Sequence, residues 1–150
     1  MTMTLNELMA KHNFIVKILL SNGNSELSKD LKVKIMSIRI EMGKIRKQFE
    51  TDLQELLKGL TPEGYSDLLQ KESKTKEDED QISTWNDKIN SEYNAYVDKR
   101  GKEEVSVEAT FTEDEFNEIV EVNAGNDVEI NGVKLSAPDF LEVLYSLFVA

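Results

Sequence analysis

The sequence predicts an α+β fold that is mostly α. A long N-terminal helical hairpin or stalk, residues 1–101, is followed by a small α+β head, residues 102–150. The head carries an antiparallel β-hairpin, or a three-stranded sheet, covered by helices. Three observations carry this expectation. An apolar seam runs at helical spacing through residues 27–56. A second run of the same period occupies residues 82–96. Residues 127–136 then read DVEINGVKLS, which alternates apolar and polar positions around Asn-Gly.

The first helix starts at Thr4-Leu5-Asn6-Glu7, where Thr4 and Glu7 have the spacing of a capping box. It runs to Leu20 and stops at Asn22-Gly23, residues that suit a helix end. Leu5, Leu8, Met9, Phe14, Ile15, Ile18 and Leu19 give it a broad apolar face. The main seam is Leu27, Leu31, Ile35, Ile38, Met42, Ile45, Phe49, Leu53 and Leu56. Its mean step is about 3.6 residues, the α-helical repeat. One helix over 24–58 follows, with Gly43 weakening it by roughly 1 kcal/mol without breaking it.

Residues 59–64, GLTPEG, are a break and a restart, with Thr61 as cap and Pro62 at the first helical position. A short helix then reaches Glu72. SKTKEDEDQ, residues 73–81, has no apolar side chain and reads as a solvated loop or an exposed turn. Ile82, Trp85, Ile89, Tyr93 and Tyr96 form the next helical face, suited to lie antiparallel against the long helix. Lys99 and Arg100 complement the negative end of that helix, and Gly101 suits the residue after it.

Beyond Gly101 the period changes. Val105, Val107, Ala109 and Phe111 alternate as in a strand. Thr112 to Glu115 is a second capping box, before a helix whose inner face is Phe116, Ile119 and Val120. Asn131-Gly132 suit a two-residue type I′ turn, which pairs Ile130 with Val133, Glu129 with Lys134 and Val128 with Leu135. An isolated hairpin is marginal in water, so residues 105–111 are expected to add a third strand. Ser136-Ala137-Pro138-Asp139 starts a final helix bearing Phe140, Leu141, Leu144, Leu147 and Phe148 as the lid.

Composition limits the functions available. The apolar share of 39% is low and the charged share of 31% high, so the core is modest. There is no transmembrane run of apolar residues and no basic, then apolar, leader at the start. The absence of Cys excludes disulfides and thiol catalysis and fits a reducing compartment. The net charge of −11 is uneven: residues 1–60 hold 10 Lys/Arg against 7 Asp/Glu, and residues 61–150 hold 8 against 22. Such a split can steer a charged partner or a second copy.

No catalytic or metal-binding motif emerges. His12 is the one imidazole, on the first helix. Glu77-Asp78-Glu79-Asp80 is a dense carboxylate run, but an EF-hand register from Asp78 puts Ser83 and Ile89 where Gly and Glu belong. Ser66 lies in Tyr-Ser-Asp-Leu, not in the Asp-Ser-Leu order of acyl carriers. Lys29, Lys32, Lys34, Arg39, Lys44, Arg46 and Lys47 make a basic stretch without aromatic residues for base stacking. It reads as a solvated helix face, and nucleic acid is not an expected partner. We expect no enzyme activity, no cofactor and no metal.

The block Asn126-Asp127-Val128-Glu129-Ile130, with Val133-Lys134-Leu135-Ser136 and Pro138-Asp139-Phe140-Leu141, resembles a family of small proteins encoded among the structural or tail genes of tailed bacteriophages. Those proteins also open with an amphipathic helical half and close with a short strand, a capped helix start and an apolar last helix. The charged segment at 72–81 and the strand pattern at 105–111 have no counterpart in them. The family has no assigned chemistry, so no functional residue carries over. The resemblance implies a non-enzymatic virion protein, of the tail or head–tail region, or an assembly component. It would reside in the virion or the host cytoplasm and bind other phage structural proteins or copies of itself. The expected contact residues are Ile35, Ile38, Met42, Ile45 and Phe49 of the seam, with Leu144 and Phe148 of the last helix. The alternative is an acidic inhibitor of a host nucleic-acid-binding or defence protein, imitating DNA through residues such as Asp78, Asp80, Glu103, Glu104, Glu113, Asp114 and Glu115.

Overall fold

The computed structural model describes residues 2–19, 26–108, 111–123, 128–130 and 133–135, with helical backbone at Asp139, Glu142 and Tyr145. Along the chain these residues form β1 (Thr2–Thr4), α1 (Leu5–Leu19), α2 (Lys29–Leu60), α3 (Tyr65–Gln70), α4 (Lys76–Gly101), β2 (Glu104–Ser106), α5 (Glu113–Asn123), β3 (Val128–Ile130) and β4 (Val133–Leu135). The fold is α+β and mostly α, as the periodicity predicts. It separates into two units: Met1–Ile45 with Glu104–Ala150, and Arg46–Glu103.

This division differs from the stalk and head expected at 1–101 and 102–150. α1 and the start of α2 belong with the C-terminal half, because their apolar faces close on it. The core of this first unit gathers Met3, Leu8, Phe14 and Ile15 with Leu27, Leu31, Ile35, Ile38 and Met42, and adds Val107 and Ile119. Val105, Phe111, Phe116, Val120 and Val122 pack around its edge. The α2 face is thus covered from both ends of the sequence.

Polar contacts order the same unit. The Thr4 amide donates to Glu7 Oε2 at 2.7 Å and the Glu7 amide to Thr4 Oγ1 at 3.2 Å, completing the expected box. The Thr112 amide donates to Glu115 at 3.0 Å and the Glu115 amide returns to Thr112 Oγ1 at 3.3 Å. Ser28 caps α2: the Leu31 amide reaches its Oγ at 3.4 Å. That hydroxyl also donates to Glu118 Oε2 at 3.0 Å, and Lys34 pairs with Glu115. α5 is therefore clasped to α2 by two carboxylates one turn apart.

Strand pairing departs from expectation. Residues 104–106 do not extend the C-terminal hairpin. β2 pairs antiparallel with β1, Thr2 opposite Ser106, Met3 opposite Val105 and Thr4 opposite Glu104. This pairing leaves Met3 buried at the core edge. β3 and β4 form a separate two-stranded sheet in the expected register, Val128 opposite Leu135 and Ile130 opposite Val133. The helix stop expected at Asn22-Gly23, the turn expected at Asn131-Gly132 and most of the expected final helix lie outside the described residues. Tyr145 is described, and its ring meets Phe116 edge-on at 6.0 Å.

The second unit is a helical hairpin. Phe49 and Asp52 on α2 meet Arg100 near the end of α4, while Tyr65 of α3 meets Trp85 and Asn86. The chain therefore returns antiparallel, as the two seams suggest. Leu53, Leu56, Ile82, Trp85, Ile89, Tyr93 and Tyr96 stay half-buried, because two helices alone cover only one side of each other. Arg100 stitches the hairpin. It donates to Asp52 at 2.8 Å and to the Tyr96 hydroxyl at 2.5 Å, and lies 5.5 Å from the Phe49 and Tyr96 ring centres. The Arg100 hydrogen bond holds the Asp52 carboxyl below its ordinary value.

Four boundaries differ for local reasons. The long helix starts at Lys29 rather than at 24, behind the Ser28 cap. α3 starts at Tyr65 behind Gly64, whose φ of 82° suits glycine. Thr61 does not cap it; its hydroxyl donates back to the Leu57 carbonyl at 2.6 Å and finishes α2. α4 starts at Lys76, inside the segment read as a solvated loop or an exposed turn. Thr75 and Asp78 form a third capping box there, and Glu77 and Glu79 sit at the positive helix end. Gly101 is the last residue of α4 and is buried, and Lys102 follows in a right-handed conformation.

Gly43 lies mid-helix, and a Cβ there would meet His12 Nε2 at 3.5 Å, an ordinary contact. Gly43→Ala is therefore expected to raise stability by up to about 1 kcal/mol, read from urea unfolding. Burial pushes the Glu115 carboxyl up, but Lys34 and the Thr112 amide and hydroxyl pull it down further, below its ordinary value. Its charged form adds stability above the ordinary carboxylate pKa, and this is lost as pH falls through the lowered folded value. Glu115→Gln should flatten the acid side of the stability profile and leave its shape above pH ~6 unchanged.

Candidate protein-docking face on the long helix

The contact residues expected from the sequence are mostly occupied within the chain. Ile35, Ile38 and Met42 are core residues of the first unit, and Ile38 has no exposed surface. Ile45 is half-buried and packs against the same core. Phe49 is buried beside Arg100 in the second unit. Leu144 and Phe148 lie outside the described residues. The seam that periodicity makes most visible is the one the chain uses to fold.

The opposite side of α2 presents a second apolar stripe. Val33 is 58% exposed, Met36 42% and Ile40 53%. Their steps of three and four residues keep them on one face. At about 100° per residue they stand half a turn from Ile35, Ile38 and Met42. A helix that only needed to cover a core would carry polar residues there. Single exposed aliphatic residues are ordinary, but three in line on a solvent face form a patch. The signal was present in the sequence. It was hidden because the seam beginning at Leu27 accounts for the stronger period.

Cations frame the stripe. Lys29 lies one turn before Val33 and Lys44 one turn after Ile40, both exposed. Exposed Arg39 flanks one side, and its Nη1 reaches Met36 Sδ at 4.0 Å. The nearby carboxylates are otherwise engaged or displaced. Glu41 accepts from the Glu108 amide at 2.8 Å, and Asp30 occupies the first turn, off the line of the stripe. Of the basic stretch, Lys34 is held by Glu115 and Arg46 by Glu50, its neighbour one turn on. Lys29, Lys44, Arg39 and the stripe make an amphipathic surface, apolar in the middle and positive at both ends and on one flank.

His12 is half-buried on α1 beside α2. Lys11 is buried, and this lowers its ammonium pKa against the opposing pull of Glu7. Asp78 is the α4 cap. Hydrogen bonds from Lys71, at 2.8 Å, and from the Thr75 amide hold its carboxyl below the ordinary value. Glu77, Glu79 and Asp80 are exposed on the same turn. Among the described residues, no three His, Asp or Glu side chains converge as a metal ion would require, and no helix is long and apolar enough to cross a membrane.

The two faces of α2 should respond oppositely to charge. Met36→Glu is expected to change stability by no more than about 0.5 kcal/mol. Ile35→Glu, which places an unpaired carboxylate in the core, should unfold the first unit. Circular dichroism melting of the two variants checks this. Comparison of the chain with protein-family models, curated proteins and solved structures finds no match to any of them.

Proposed function

We propose that this protein acts by binding other proteins rather than by catalysing a reaction, and that the outer face of α2 is its contact surface. The observation that carries the reading is the exposed Val33–Met36–Ile40 stripe, set opposite a core face that is already filled. Side chains of this kind gain free energy when a partner covers them, roughly 25 cal/mol for each Å² of apolar surface removed from water. Placement on a long helix, anchored from behind by Leu31, Ile35, Ile38 and Met42, keeps the surface rigid and lowers the ordering cost of binding.

The resemblance of the C-terminal block to small proteins of tailed-phage structural modules supplies the setting. In this reading the chain is a virion component of the tail or head–tail region, or acts during assembly, and its partners are other phage structural proteins.

Site-specific crosslinking tests the reading. A photoreactive phenylalanine analogue at position 36 or 40 should join the protein to another particle protein in infected cells, whereas the same group at position 35 should not. Mass spectrometry of purified particles should contain the chain. Particles without it, or crosslinks from position 36 only to a host nucleic-acid-binding protein, would overturn the assignment.

A further inference from the structure

Building on the reading of α2 as a docking face, we infer that its occupant is an acidic amphipathic helix belonging to a different protein. Three features of the surface point to this chemistry. The apolar stripe is narrow and follows the helix axis for about two turns, roughly 10 Å, which matches the seam of another helix. Its border is cationic at both ends and on one flank, through Lys29, Lys44 and Arg39. A helix with an apolar seam edged by Asp or Glu satisfies both parts at once.

The chain displays the same chemistry internally. α5 is acidic in its first turn and apolar through Phe116, Ile119 and Val120. It packs on α2 with Glu115 on Lys34 and Glu118 on Ser28. α2 therefore already accepts one acidic amphipathic helix, on a different side from the stripe.

Charge argues against a second copy as the occupant. Two stripes packed antiparallel about a two-fold axis would place Val33 against Ile40, which is favourable. The same register places Lys29 of each copy against Lys44 of the other, and a parallel register opposes each lysine to itself. Like charges at both ends of an apolar contact discriminate against self-pairing.

Fluorescence anisotropy of the full-length protein with two synthetic peptides tests the inference. Both peptides are helices of about three heptads with leucine on one face, flanked in one by glutamate and in the other by lysine. The glutamate peptide should bind, and its affinity should fall as salt rises. Met36→Ser with Ile40→Ser should weaken it by about tenfold or more. Lys29→Glu with Lys44→Glu should transfer the preference to the lysine peptide. Failure of the glutamate peptide to bind at low salt, equal binding of both peptides, or undiminished binding to the serine variant would overturn the inference. So would capture by phosphatidylglycerol vesicles that the serine variant abolishes, or a dimer in sedimentation equilibrium that Ile40→Ser dissolves. A crosslink from position 36 does not depend on the partner's charge. Crosslinking without peptide binding would therefore remove the acidic helix and leave the docking face standing.

Discussion

Burial of one face of α2 is the constraint on which the first unit rests. Leu31, Ile35, Ile38 and Met42 are almost wholly withdrawn from water. No single neighbouring element is large enough to cover them. α1 approaches from the N-terminal side of the sequence, and Val107 and α5 from the C-terminal side. Each of these is a short element with little claim to stability alone, since isolated helices of this length are marginal in water. The shared apolar surface is what makes them a unit. It also explains why the first strand pairs with one a hundred residues further along the chain. Once α1 and the segment after α4 both lie on α2, Thr2–Thr4 and Glu104–Ser106 are neighbours and their backbone groups can pair.

The second unit is held differently. Its two long helices share a seam of Leu, Ile, Trp and Tyr, but most of these side chains keep part of their surface in water. Arg100 compensates locally by joining Asp52, Phe49 and Tyr96 through a planar cation that both donates hydrogen bonds and lies near the rings. Its Nε lies 2.9 Å from a Glu103 carboxylate oxygen but is not aligned to donate to it, so the pair is held by charge. The acidic run in the first turn of α4 has a related logic. Asp78 closes the capping box, and the carboxylates beside it face the positive end of α4.

α2 is a helix with two apolar faces. One is satisfied inside the first unit; the other, Val33, Met36 and Ile40, is bordered by cations at both ends and on one flank and is open to water. The rigidity of the surface follows from the burial behind it. His12 lies beside Gly43 of α2, Lys11 is buried on α1, and Asp78 caps α4.

Local rules were legible in the sequence by itself. The helical period of the Leu27–Leu56 seam, the boxes at Thr4 and Thr112, and the hairpin register around Asn131-Gly132 follow from contacts between residues close in the chain, where spacing determines geometry. The third box, Thr75 to Asp78, obeyed the same rule but was obscured by the charge run around it. Tertiary structure alone decided the rest. It made Thr2–Thr4 rather than the hairpin the partner of Glu104–Ser106, and it joined α1 to the C-terminal half. It also filled Ile35, Ile38 and Met42 from within the chain while leaving Val33, Met36 and Ile40 bare. Periodicity marks which residues share a helix face. Which face is covered depends on the elements that reach it from far along the chain, and no local spacing encodes that.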